Sequence, residues 1–207
     1  MGLSKMNKKK LLVFASTFPR WKNDTNPPFV YELSKRLTDQ FEVSVLAPSY
    51  PGSKDFEVMD NMNVYRFHYF LKKYEKLAGG EGILPTLKKN KLFYFQVPFF
   101  LLAEFITLRK MVKKINPDII YAHWIIPQGF ISALIKQLYG IPFITLVHGG
   151  DIFGLQKKLF INIKKYTLKN ANGIAVASSA IKKEISNKIN NKLNIDVISM
   201  GVDSKLF

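Results

Sequence analysis

The sequence predicts an α/β protein: a single doubly wound, mostly parallel Rossmann-like sheet of about seven strands with helices on both faces. Three observations carry this prediction. Short apolar runs bounded by turn residues alternate with longer stretches of helical period, the pattern of βαβ units. Most of those runs are nearly continuously apolar, as strands are when both faces of a parallel sheet are covered. Polar residues then gather immediately after several runs, at the edge where such sheets meet ligands.

Taken in order, strands are predicted over Leu11 to Ser16, Val43 to Ala47, Val64 to Phe67, Asp118 to Ala122, Phe143 to Val147, Gly173 to Ala177 and Asp196 to Ser199. The first helix follows "NPPF", where Val30, Leu33, Leu37 and Phe41 recur at spacings of three and four and form one apolar stripe. Further helices are predicted around Leu92 to Ile115, Gln128 to Tyr139, Leu155 to Asn170 and Ser179 to Ile189, with Ile181, Ile185 and Ile189 four apart. Pro127 suits a first helical turn, where its missing donor would be unpaired in any case. "NPD" at Asn116 to Asp118 and "GIP" at Gly140 to Pro142 read as helix stops. Lys72 to Lys91 carries Gly79, Gly80, Gly82 and Pro85 without clear period and reads as a surface loop flanking a helix. Residues 1–9 form a basic tail. "LFYFQVPFFLLAEFI", from Leu92 to Ile106, is the densest apolar region, but Gln96, Pro98 and Glu104 interrupt it, so no transmembrane segment is expected.

The chain has 207 residues, 31 Lys and Arg against 15 Asp and Glu, a formal charge of +16, and no cysteine. Disulfides, thiolate nucleophiles and Cys-type zinc sites are excluded. A field of that sign draws anions such as acidic lipid or phosphorylated small molecules. Arginine is confined to Arg20, Arg36, Arg66 and Arg109, so the planar forks suited to bidentate base recognition are scarce, and no nucleic-acid partner is expected.

Three loops after strands could carry chemistry. "STFPRWKNDTNPPF", Ser16 to Phe29, lacks the Gly-x-Gly-x-x-Gly of a dinucleotide site. It offers Arg20, Lys22, Asn23, Asp24 and Asn26 ahead of a helix N-terminus, which favours anions; a solvated loop anchored by Trp21 is the alternative. "AHWIIPQG" places His123 and Trp124 at the end of the fourth strand, as packing residues or as ligand contacts. "ITLVHGGDIF" sends the fifth strand into His148, Gly149, Gly150 and Asp151. Glycines there can adopt positive φ and leave space beside the backbone. Asp151 can cap the next helix, so spacing alone leaves both a ligand loop and an ordinary capped turn open. Three scattered histidines give no metal site. Ser178 and Ser179 lack a nucleophile elbow and read as helix caps.

In this order, "PDIIYAHWIIPQGFISALIKQLYGIPFITLVHGGDIFG" resembles the amino-terminal domain of retaining GT-B glycosyltransferases of the family 4 type, in which an "HAHW…P.G" segment precedes "P.v.T.HG.D". "FPRWKNDTNPPFVYELSKRL" is similar to the first acceptor-side loop of a subset of them, "NANGIAVASSAIKKEI" to their "AD.viavS" strand and helix, and "ISMGVDSKLF" to their "ipNGVD…F" segment. The resemblance covers nearly all of residues 10–207. It implies transfer of a sugar, with retention of configuration, from a nucleotide-diphosphate-sugar donor to a glycan, glycolipid or similar acceptor, without metal or other cofactor. By that resemblance His148 is the catalytic contact to the transferred sugar, with Gly149, Gly150 and Asp151 beside it, and Arg20, Asn23, Asp24, His123 and Trp124 line the acceptor side. The first loop lacks the glycine pair of many members, and Met200 stands where asparagine is commoner. The donor is implied to be held by a carboxyl-terminal domain absent from this sequence, so residues 10–207 alone are expected to be inactive. A cytoplasmic protein, peripheral at the inner face of the cell membrane, is the expected setting. The competing class is a non-catalytic module of the same fold that binds anions or the membrane surface; a nucleotide-sugar epimerase would need carboxylates that this sequence does not obviously supply.

Overall fold

The computed structural model describes residues 8–22, 24, 28–78 and 82–199. Eight strands form one sheet in the order β3-β4-β2-β1-β5-β6-β7-β8. All strand pairs with recorded register are parallel except β3 with β4. The chain divides at Ile120 into two compact units, and the boundary falls inside β5 (Ile119–His123).

The first unit holds β1 (Lys9–Phe14), α1 (Phe29–Leu37), β2 (Phe41–Pro48), β3 (Phe56–Met59) and β4 (Met62–Phe67). β1 takes in Lys9, the last residue assigned to the basic tail. Helix α1 stops at Leu37, and Phe41, predicted to extend its apolar stripe, instead opens β2. β3 is absent from the predicted strands. Asp60 and Asn61 take φ of 43° and 64° and join β3 to β4 as a two-residue hairpin, a geometry that Asn and Asp tolerate best after glycine. The adjacent Asp and Asn between "EVM" and "MNV" are the available signal. Leu12, Val13, Phe14, Val45, Leu46 and Val64 are buried to within 1%, each worth about 1.5–3 kcal/mol of burial.

The stretch read as a loop holds a 3-10 turn at Lys72–Tyr74 and the short α2 (Ile83–Lys89); Gly79 and Gly80 lie outside the described residues. A second 3-10 turn, Lys91–Gln96, then leads into α3 (Val97–Ile115). The three polar interruptions of this region do not break the helix: Gln96 precedes it, Pro98 occupies its first turn, where proline is tolerated, and Glu104 is buried. By length and composition alone Lys91–Ile115 is long and apolar enough to cross a membrane. Its Phe100, Leu108, Met111 and Val112 are nonetheless buried in the fold. Asn116 ends α3 in the left-handed region, the stop that "NPD" predicts.

The second unit holds β5 beyond Ile120, α4 (Phe130–Tyr139), β6 (Phe143–Val147), α5 (Gly149–Gly154), α6 (Lys158–Asn170), β7 (Gly173–Val176), α7 (Ser179–Lys188) and β8 (Asp196–Val197). Pro127 is not in the first turn of α4. It lies in the preceding turn, Ile125–Gly129, after a cis peptide bond. Ser178 caps α7 as expected, accepting from the Ile181 amide at 3.4 Å. Ile125, Val147, Ile152, Leu168, Val176 and Ile185 make the core of this unit.

Candidate functional site

In the second unit, two neighbouring parallel strands deliver the candidate residues at their carboxyl ends. β5 ends on His123 and β6 ends one residue before His148. His123 is fully buried, and its Nδ1 lies 3.4 Å from Nε2 of the half-buried His148. The rings stack, 5.7 Å apart and 14° from parallel, and Trp124 packs at 4.8 Å from His148.

Trp124 can reach that position because its backbone takes φ +73°, a conformation unusual for a bulky residue. Its amide donates to the Leu146 carbonyl at 2.9 Å and its carbonyl accepts from the Gly129 amide at 3.0 Å. These bonds hold the strained residue in place, and strain so maintained is typical of functional positions.

Asp151 does more than cap α5. Its Oδ2 accepts from the Ile125 amide at 2.9 Å and from the His148 amide at 3.4 Å. One buried carboxyl thereby pins the turn after β5 to the turn after β6. Burial pushes its pKa up to about 7, while the amides of Ile125, His148 and Ile126 and the charge of Lys164 pull the other way. Lys164 is itself 2% exposed and donates to the Leu155 carbonyl at 2.6 Å and the Ile152 carbonyl at 3.4 Å, tying down the end of α5.

Both histidines are neutral near pH 7. Burial lowers His148 to about 4; burial, then the neighbouring His148, hold His123 well below its ordinary value. His123 Nε2 is buried without a hydrogen-bond partner. The His123–His148 contact joins one donor to one acceptor, so one of the two facing nitrogens carries a proton and the other a lone pair. The His148 side chain also accepts from the Asp151 amide in a capping box with Asp151, as the lone pair of a neutral imidazole allows. The result is an uncharged imidazole held at a strand end, suited to a hydrogen bond with a neutral polar group such as a hydroxyl.

Gly149 and Gly150 depart from the positive-φ expectation: they form the first turn of α5, and neither takes positive φ. A Cβ at Gly150 would meet nothing within 4 Å, and one at Gly149 only the Phe153 ring at 3.7 Å. These glycines leave the helix N-terminus bare; backbone geometry does not demand them. Gly129 is the tightly packed glycine here, because a Cβ would fall 2.9 Å from Thr167 Cγ2 and 3.1 Å from the Trp124 carbonyl.

In the first unit, Arg20 and Asp24 pair with each other. Arg20 donates through Nε and one terminal nitrogen to the two Asp24 oxygens, each at 2.8 Å, and its backbone amide reaches Oδ2 at 2.8 Å. The guanidinium also sits over Trp21 and Tyr50, at 4.6 and 4.9 Å. A fork engaged in this way has little left for an anion, and Trp21 is 43% exposed, so it is no packing anchor. Buried Arg66 supports the loop from beneath, donating to the Pro19 and Arg20 carbonyls at 2.7 and 3.2 Å and pairing with Glu57 at 2.9 Å. Asn23 lies outside the described residues, as do Asn26 and Met200. Among the described residues no group of three His, Cys, Asp or Glu side chains is placed to hold a metal.

The fold is that of the amino-terminal half of GT-B enzymes. Residues 28–206 match the model of Glycosyltransferase Family 4, and the chain belongs to that family. An uncharacterized glycosyltransferase of Methanocaldococcus jannaschii is 27% identical over 124 residues, covering 59% of this chain and 33% of the relative. Sucrose-phosphate synthase of Thermosynechococcus elongatus superposes with a TM-score of 0.68 at 13% identity, over 96% of this chain and 50% of that one. Anabaena HepE in complex with UDP-glucose gives 0.58 at 11% identity, over 95% and 45%. The chain thus spans a third of the curated relative it matches and about half of these two solved structures.

Proposed function

We propose that this chain is the acceptor-side domain of a retaining glycosyltransferase that moves a hexosyl unit from a nucleotide-diphosphate sugar to a glycan, glycolipid or similar acceptor. The observation that carries the reading is the neutral His148, stacked on His123 at the end of β6, in a chain of glycosyltransferase family 4. The donor is held by a second domain outside this sequence, and no metal takes part. A uridine diphosphate sugar is the first donor to test, since the similar HepE structure contains one.

In this reading the neutral His148 imidazole hydrogen-bonds a hydroxyl of the transferred sugar. An uncharged partner suits that task, because it stabilises an oxygen as charge develops without the cost of burying an ion. His123 stacks on the His148 ring and holds it, Trp124 bounds the sugar's approach, and Asp151 sets the spacing of the two turns. Arg20, Asn23 and Asp24 are assigned to the acceptor side.

The test joins this chain to a donor-binding family 4 domain and measures sugar transfer from UDP-sugars. His148→Ala is expected to lower kcat by about a hundredfold to a thousandfold, the usual loss when one transition-state hydrogen-bond donor is removed, and residues 10–207 alone should show no turnover. Unchanged turnover of the His148 variant with every accepted donor would end the assignment. Retention is checked separately, by the anomeric configuration of the product.

A further inference from the structure

We infer that the segment Lys91–Ile106 of the first unit is a docking face for an anionic lipid bilayer, lying in the membrane interface. On α3 the buried residues Phe100, Glu104, Leu108 and Met111 recur at helical spacing. The opposite side carries Phe99, Leu102 and Ile106, all exposed, and the preceding turn exposes Leu92 at 81%, Phe95 at 67% and Tyr94. A buried stripe accounts for one face of an amphipathic helix, and among the described residues nothing accounts for a second apolar face on its opposite side.

The aromatic part of this face is pre-assembled. Phe95 packs on Phe99 at 5.5 Å, and Phe70 meets both at 6.2 and 5.8 Å. Gln96 donates to the Tyr74 carbonyl at 3.0 Å, which ties the turn Lys72–Tyr74 to the start of α3; in that turn Lys72 faces Asp55 at 3.9 Å and Lys73 lies over the Tyr74 ring at 4.9 Å. Lys88, Lys89 and Lys91 are exposed just before Leu92.

Charge selects the occupant. From Leu71 to Asn116 the only acids are Glu75, Glu81 and Glu104; Glu75 and Glu104 are buried, and Glu81 lies outside the described residues. A rim of lysines around exposed aromatics repels a second copy of itself and attracts a negative surface. Aromatics and leucines on one face with lysines at its edge are what an interfacial helix requires. Docking is parallel to the membrane, because spanning would expose the buried side of α3. The inference does not depend on the transfer reaction, and its test involves no turnover.

The test is co-sedimentation of the 207-residue chain with vesicles of phosphatidylcholine alone and of phosphatidylcholine mixed with phosphatidylglycerol, at low and high salt. The chain should bind the mixed vesicles, and part of that binding should survive high salt. The exposed-site variant Leu92→Ser, Phe95→Ser, Leu102→Ser should keep its circular dichroism and lose about tenfold or more in partitioning. A Phe95→Trp variant should show blue-shifted emission on binding and quenching by brominated lipid. Equal binding by the triple variant, emission from vesicle-bound Phe95→Trp protein that still reports contact with water, or no vesicle binding at all would overturn the inference. So would a dimer in analytical ultracentrifugation that the triple variant abolishes, since the face would then belong to a second copy.

Discussion

At the scale of single residues, Asp151 and His148 pull the pH dependence of stability in opposite directions. His148 titrates near 4 in the fold, against 6.5 as its ordinary value. The unfolded chain therefore binds the extra proton between those values, and its contribution to stability is lost as pH falls from about 6.5 to about 4. Asp151 is raised from 3.8 to about 7, so its contribution is present at low pH and is lost as pH rises through that window. Chemical denaturation across pH 4 to 7 should accordingly show a steeper loss on acidification for Asp151→Asn and a shallower one for His148→Gln. Asp151→Ala removes the acceptor of two backbone amides and should cost about 2–4 kcal/mol. Asn, which still offers an oxygen, should cost less.

At the scale of elements, the turn Ile125–Gly129 depends on close packing. A methyl group at Gly129 would press on Thr167, Thr145 and the Trp124 carbonyl, so Gly129→Ala should destabilise the protein by about 1–3 kcal/mol in urea unfolding, whereas Gly150→Ala, in open space, should not destabilise it. The first-unit loop has a different support. Arg66→Ala would leave the Pro19 and Arg20 carbonyls and Glu57 without their buried partner. Amide hydrogen exchange should then accelerate over 17–22 with little change in β5 to β7.

Several elements are legible because their signals are local. β6 matches its predicted range to the residue, and the caps at Asn116, Gly140 and Ser178 follow from residue chemistry alone. The hairpin β3–β4 escapes prediction because its cue is two residues of turn chemistry without a long apolar run. Pro127 falls one turn away from its expected place because its suitability for a helix start says nothing about whether the chain must first turn.

At the scale of the whole molecule, a formal charge of +16 on 207 residues opposes compaction by self-repulsion, which salt screens over about 10 Å at 0.1 M. The thermal midpoint should rise as sodium chloride is added. A midpoint that falls or stays level would mean that local ion pairs, such as Arg20 with Asp24, outweigh the net field.

The sequence by itself determined the α/β class, the alternation of elements and the positions of His123 and His148 at strand ends, because hydrophobic period and strand-end polarity are written along the chain. Tertiary structure alone decided that these two histidines stack, that Asp151 binds the amide of a residue 26 positions away, and that Arg20 is already paired. It also decided that α3 keeps a second apolar face exposed. Pairing and exposure depend on which distant residues meet, and no spacing along a single chain records that.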